Sequence, residues 1–212
     1  MKVKICGLTR LEDAFCAHTQ GAFALGFIFY PKSKRYITLD DAKNLLAQLP
    51  ADAAPVGVFV NQTDDMITAA QDLPLKGIQL HGDETLDDCR RLRDAFGGFI
   101  IKAFRIKADA DLEAVTAYED VVDYILIDAA VDGAYGGTGQ LANWDLARRA
   151  TDFKKPLILS GGITPDNIVE ATRAVAPFAV DLAGGVESAP GIKSHDKIKQ
   201  LFDAIKDEPH AA

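Results

Sequence analysis

Short apolar runs recur along this chain, and between them lie segments whose apolar residues return at helical spacing. The runs are Val3–Cys6, Ala24–Phe29, Val56–Val60, Gly77–Gly82, Phe99–Phe104, Asp123–Asp128, Pro156–Gly162 and Phe178–Ala183. Several are continuous rather than alternating, which predicts strands buried on both faces. Between the first two, Leu11, Ala14, Phe15 and His18 fall on one helical face of a segment from Arg10 to Gln20. Thr38 opens another helix, in which Leu39, Ala42, Leu45, Leu46 and Leu49 recur with the same period. Further helices are expected over Asn61–Asp72, from Asp83 or Thr85, over about Asp109–Tyr118, from Trp144, after Thr164 and from Ser194 to Ile205.

Helix punctuation supports this reading. Thr9-Arg10-Leu11-Glu12 has the form of a capping box, Gly21 has the form of a helix C-cap, and Thr164 followed by Pro165 reads as an N-cap with proline at the first helical position. Strands alternating with helices throughout imply a parallel sheet flanked by helices. Their number favours closure into a (β/α)8 TIM barrel, one α/β domain over residues 1–212. The runner-up, an open doubly wound sheet that binds a dinucleotide, lacks a Gly-x-Gly-x-x-Gly after its first strand.

Composition narrows the class. A chain of 212 residues with 48% hydrophobic content can bury a substantial single core. The formal net charge of -8 and the absence of a basic stripe argue against a nucleic-acid surface. Cys6, Cys16 and Cys89 are scattered, unlike a disulfide framework or a zinc site, so a reducing compartment is expected. Cys16 and Cys89 read as packed residues. No secretory signal or membrane-spanning run is seen, and a soluble, cytoplasmic protein with no membrane or nucleic-acid partner is expected.

The chemistry collects where strands end. Cys6 closes the first run, His81 stands at the end of the fourth, Asp128 ends the sixth and Asp181 lies in the eighth. Carboxyl ends of barrel strands face the ligand. Arg35, in a basic loop after the second strand, has the chemistry to recognise a carboxylate, although such a loop can equally be a solvated linker. Gly161-Gly162 and Gly184-Gly185 follow consecutive late strands, where barrels of this class commonly seat a phosphate against backbone N–H groups. Gly133–Gln140 is glycine-rich beside a strand-end carboxylate and reads as a mobile cover or an inert connector. Cys6 as base and Asp128 as acid could flank a substrate anchored by that phosphate. An unperturbed thiol titrates near ~8.5 and an aspartate near ~3.9, so each must move toward neutrality. Taken alone, a strand-end cysteine is more often packing than chemistry, and a strand-end histidine as often only fixes a turn.

Lys4-Ile5-Cys6-Gly7-Leu8-Thr9, Gly26-Phe27-Ile28-Phe29, Ser33-Lys34-Arg35, Gln79-Leu80-His81-Gly82, Gly136-Gly137-Thr138-Gly139 and Ser160-Gly161-Gly162-Ile163 resemble the signatures of the phosphoribosylanthranilate isomerase family. The resemblance implies an Amadori rearrangement in tryptophan biosynthesis without metal or organic cofactor, acting on a small phosphosugar. It implies Asp128 as general acid and Cys6 as general base. Arg35 would hold the anthranilate carboxylate, Asp181 would orient the substrate near its amino nitrogen, His81 would form a wall of the site, and Gly161, Gly162, Gly184 and Gly185 would bind phosphate. One departure is visible: the family usually has serines where this chain has Ala183 and Gly184, which keeps backbone donors and removes hydroxyl contacts. The rival readings are the sister isomerase of histidine biosynthesis and a non-catalytic barrel that senses a phosphate ligand. Monomer and homodimer both stay open.

Overall fold

The computed structural model describes residues 1–129 and 144–206. Eight parallel strands close a barrel in sequence order: β1 (Lys2–Ile5), β2 (Ala24–Ile28), β3 (Pro55–Phe59), β4 (Gly77–Leu80), β5 (Phe99–Ile106), β6 (Tyr124–Ala129), β7 (Leu157–Ser160) and β8 (Ala179–Leu182). Pairing of β8 with β1, Lys4 opposite Asp181, completes the ring. The helices between and after them are α1 (Leu11–Thr19), α2 (Leu39–Leu46), α3 (Thr63–Asp72), α4 (Leu86–Ala95), α5 (Asp109–Thr116), α6 (Trp144–Arg149), α7 (Ile168–Val175) and α8 (His195–Ala204). The expected barrel is thus present. A two-stranded antiparallel hairpin, β9 (Glu187–Ala189) with β10 (Ile192–Lys193), was not anticipated and follows β8 at the mouth.

Side chains alternate across each strand, and this sorts the apolar residues into two cores. Val3, Ile5, Leu25, Phe27, Phe59 and Leu80 point outward and pack under the helices. Ala24, Val56, Ile101, Leu126, Ile158 and Ala179 point inward and fill the barrel. Those two layers explain why the strands read as unbroken apolar runs. At the floor, Phe23, Phe99, Tyr124 and Phe178 stack edge and face, with ring centroids 5.5 to 6.5 Å apart, and the Lys2 ammonium lies 4.5 Å from the Phe178 ring centroid. Above that plug the inward positions turn polar.

Local expectations fared unevenly. Thr38 and Thr85 do cap α2 and α4, and the latter forms a capping box with Asp88. Gly21, at φ 95°, terminates α1 as expected. The capping box at Thr9 is not formed: Arg10 is the N-cap of α1, and the Thr9 hydroxyl donates instead to the Gly191 carbonyl at 2.6 Å. Thr164 does not cap α7 either, because residues 164–167 make a turn tied by Asn167, and the helix begins at Ile168. The face of α1 also differs. Ala14 and Ala17 are buried together with Asp13, whereas Phe15 is 38% exposed. Asp13 tolerates burial because the Lys193 backbone N–H and the His195 ring reach it at 3.0 and 2.9 Å. Cys89 is buried and Cys16 packs half-buried against the outer core. Burial pushes the Cys89 thiol up to about 11, in keeping with a packing role.

Candidate active site

The inward polar positions of neighbouring strands converge at the carboxyl end. Cys6 follows β1, Gln79 and Asp128 lie on β4 and β6, Ser160 ends β7 and Asp181 lies on β8 opposite it. Cys6, Arg35, His81, Asp128 and Asp181 all line one cavity of about 570 Å³. An adjoining cavity of about 240 Å³ is lined by Gly161, Gly162, Gly184 and Gly185 and shares Asp128 and Asp181 with the first. Every site residue singled out from the sequence therefore borders one continuous space. The Gly133–Gln140 segment, with its Gly136-Gly137-Thr138-Gly139 motif, lies outside the described residues.

Glycine is required at particular points here. Gly161 and Gly162 adopt φ 99° and 67°, a left-handed backbone that glycine enters without the penalty a side chain would carry. A β-carbon on Gly185 would lie 1.9 Å from the Ile163 carbonyl oxygen, so the loops after β7 and β8 meet only because that side chain is missing. Gly7, at φ 73°, makes the turn out of β1, and a β-carbon there would strike the Arg35 side chain at 2.4 Å.

On the β4–β6 side, the Gln79 amide nitrogen donates to His81 Nδ1 at 2.7 Å. His81 Nε2 then faces Asp128 Oδ2 at 3.3 Å. His81 is therefore more than a wall: it is the hydrogen-bond neighbour of the carboxyl. On the β1–β8 side, the Lys4 ammonium is fully buried and donates to Asp181 Oδ1 at 2.8 Å. Burial disfavours its charge, yet Asp181 and Cys6 outweigh that cost and hold its pKa above the ordinary lysine value.

Cys6 departs from expectation. Burial pushes its thiol up from the ordinary value, Asp181 adds to that, and Lys4 and Lys193 only partly oppose it. The thiol is therefore shifted in the opposite sense to the lowering the sequence reading called for. Arg35 also differs from a free carboxylate receptor. Its Nε and a terminal nitrogen both bond Glu187, each at 2.8 Å, in a bidentate pair. Glu187 in turn accepts from Lys193 at 2.9 Å, and Lys193 donates to the carbonyls of Cys6 at 2.6 Å and Ala183 at 3.1 Å. This network ties the β9–β10 hairpin to the loops after β1, β2 and β8. Lys4, Gln79, Glu187 and Lys193 were missed in the sequence. A lysine inside an apolar run was the one available signal, since an unpaired buried ammonium is untenable.

Comparison with known proteins gives a consistent picture. Residues 3–204 match the family described as N-(5′-phosphoribosyl)anthranilate (PRA) isomerase. N-(5′-phosphoribosyl)anthranilate isomerase of Geobacter sulfurreducens is 44% identical over 207 residues, covering 97% of this chain and 98% of the relative. That of Trichlorobacter lovleyi is 41% identical over 208 residues, covering 98% of each. The crystal structure of phosphoribosyl anthranilate isomerase from Thermotoga maritima is similar at TM-score 0.88 and 39% identity, covering 97% of this chain and 98% of that one. A further structure, of such an isomerase in complex with reduced 1-(o-carboxyphenylamino)-1-deoxyribulose 5-phosphate, matches at TM-score 0.85 and 39% identity over the same shares. With the barrel, the family match over residues 3–204 and the full-length relatives in agreement, this chain belongs to the N-(5′-phosphoribosyl)anthranilate isomerase family.

Proposed function

We propose that this chain converts N-(5′-phosphoribosyl)anthranilate to 1-(2-carboxyphenylamino)-1-deoxyribulose 5-phosphate, the Amadori rearrangement of tryptophan biosynthesis, by general acid–base catalysis. The observation that carries the proposal is the meeting of a thiol and a carboxyl, from β1 and β6, on one cavity that continues into a ring of glycines. The glycine amides anchor the phosphate. Asp128 protonates the furanose ring oxygen, and the C1′–O bond breaks as the anthranilate nitrogen lone pair forms a C1′=N bond. The Cys6 thiolate then removes the C2′ proton. The C–H electron pair becomes a C1′=C2′ double bond, and the C=N pair returns to nitrogen. The resulting enolamine tautomerises to the ketone.

The raised thiol is compatible with this sequence. A thiolate beside a protonated carboxyl holds the same single proton as a thiol beside a carboxylate. The working pair is therefore reached by moving one proton within the site, not by exporting one to solvent. His81 steadies Asp128, Asp181 orients the substrate, and Arg35 supplies positive charge toward the anthranilate carboxylate while Glu187 holds it rigid. The rearrangement is redox-neutral and moves only protons, so these side chains supply all the chemistry it calls for.

Purified protein is tested for loss of N-(5′-phosphoribosyl)anthranilate and for conversion of the twice-phosphorylated aminoaldose of histidine biosynthesis. Turnover of the first with none of the second supports the proposal. Comparable turnover of both, or binding of a product analogue with no turnover of either, overturns it.

A further inference from the structure

Lys4 is among the largest fully buried side chains of the described residues, and it borders neither cavity. It stands two positions before Cys6 on β1, so strand alternation puts both inside the barrel, the ammonium one layer below the sulfur. Asp181, paired with Lys4 across β1 and β8, fixes that ammonium at 2.8 Å. The space for this arrangement comes from the next strand: a β-carbon on Gly26 would lie 2.8 Å from the Cys6 sulfur and 3.2 Å from the Lys4 nitrogen. The sulfur and the ammonium thus flank one point beside Gly26, and the charge of Lys4 favours the negative form of Cys6 while its hydrogen bond goes to Asp181.

We propose that Lys4 is the positioning residue of the cysteine base: it stabilises the negative sulfur from beneath, and Asp181 moderates it. This rests on the proposed role of Cys6 in proton abstraction. Among the described residues, the other cations near the sulfur are hydrogen-bonded elsewhere. Lys193 also favours the negative sulfur through its charge, but its Nζ is engaged by two carbonyls and Glu187, and it hydrogen-bonds the Cys6 backbone. Arg35 is bidentate on Glu187. The facing groups across the cavity are Asp128 on β6 and His81 after β4, which bond each other. The two partners of Lys4 thus act on the sulfur in opposite senses. Without Lys4, thiolate formation is harder; without the charge on Asp181, the ammonium is undiluted and formation is easier.

The opposition of sign supplies the test. Cys6 alkylation by iodoacetamide is followed across pH by mass spectrometry of its peptide in wild type, Lys4→Met and Asp181→Asn, with circular dichroism confirming the fold. The expected result is alkylation at neutral pH at least tenfold slower in Lys4→Met, with the profile moved to higher pH, and faster in Asp181→Asn, with the profile moved lower. Turnover in Lys4→Met falls in parallel while product-analogue affinity stays within threefold. Profiles displaced in the same direction, or a Lys4→Met profile equal to wild type, overturn the proposal. If Lys4→Met does not fold, the sign of the Asp181→Asn displacement alone decides. Because alkylation needs no substrate, a wild type without isomerase activity would defeat the functional reading and leave this one to be judged separately.

Discussion

Glu187 is 8% exposed and carries two cations, Arg35 and the fully buried Lys193 side chain. Burial pushes its carboxyl up, but the Arg35 hydrogen bonds and Lys193 outweigh burial and hold it below the ordinary carboxylate value. A carboxyl with a depressed folded-state pKa stabilises the protein above its unfolded pKa and loses that contribution as pH falls through the folded value. Glu187→Gln should therefore cost about 3 kcal/mol at neutral pH, the usual scale for stranding one member of a buried pair. The gap to wild type should close on acidification below about pH 4.3, where the unfolded carboxyl begins to bind its proton. Urea unfolding at a series of pH values measures this, and a gap that stays constant with pH contradicts it. The same variant frees Arg35, and KM should rise more than kcat falls.

Among the elements, the two glycine-rich loops make the sharpest prediction. Gly185→Ala puts a methyl 1.9 Å from a backbone oxygen, which has no rotamer to escape with, so the loops after β7 and β8 must part. Phosphate-analogue affinity should fall at least tenfold by calorimetry. Gly97→Ala, whose β-carbon meets nothing within 4 Å, should leave it unchanged. Equal losses in both variants would show that the effect is not local. At the end of α7, Ala176 sits at φ 53°, a left-handed conformation that costs a side chain about 1 kcal/mol. Ala176→Gly should recover roughly that amount in thermal unfolding, and a destabilised variant would contradict the strain argument.

These elements also show what local sequence can reveal. Strand runs and helical periods needed only neighbours within a few positions, and all eight strands were legible from them. Thr9 looked like a cap and is not one, because its hydroxyl prefers the carbonyl of Gly191 from the far end of the chain. Asp13 is buried for the same reason, its partners being Lys193 and His195. The β9–β10 hairpin that supplies Gly191 and Lys193 has too few residues to show a period. Cys6, Asp128 and the glycine pairs were legible because strand ends face the ligand. Lys4 and Glu187 were not, since their meaning lies in the charges they meet across the barrel.

For the whole molecule, polar chemistry occupies one end of the barrel and the stacked Phe23, Phe99, Tyr124 and Phe178 close the other. Stability and catalysis should therefore separate. Phe178→Ala should cost about 3 kcal/mol in unfolding, the low end for a large aromatic truncation, with KM and kcat per folded molecule unchanged. A shift in KM would show that floor and mouth are coupled. The sharing of proton traffic by a sulfur and a carboxyl on opposite sides of one cavity has a more direct test. Turnover and product-analogue affinity are measured for Cys6→Ala and Asp128→Asn. Rate losses of about a hundredfold or more in each, with analogue affinity kept, are predicted; full turnover in either variant, or loss of binding in step with loss of rate, contradicts the claim.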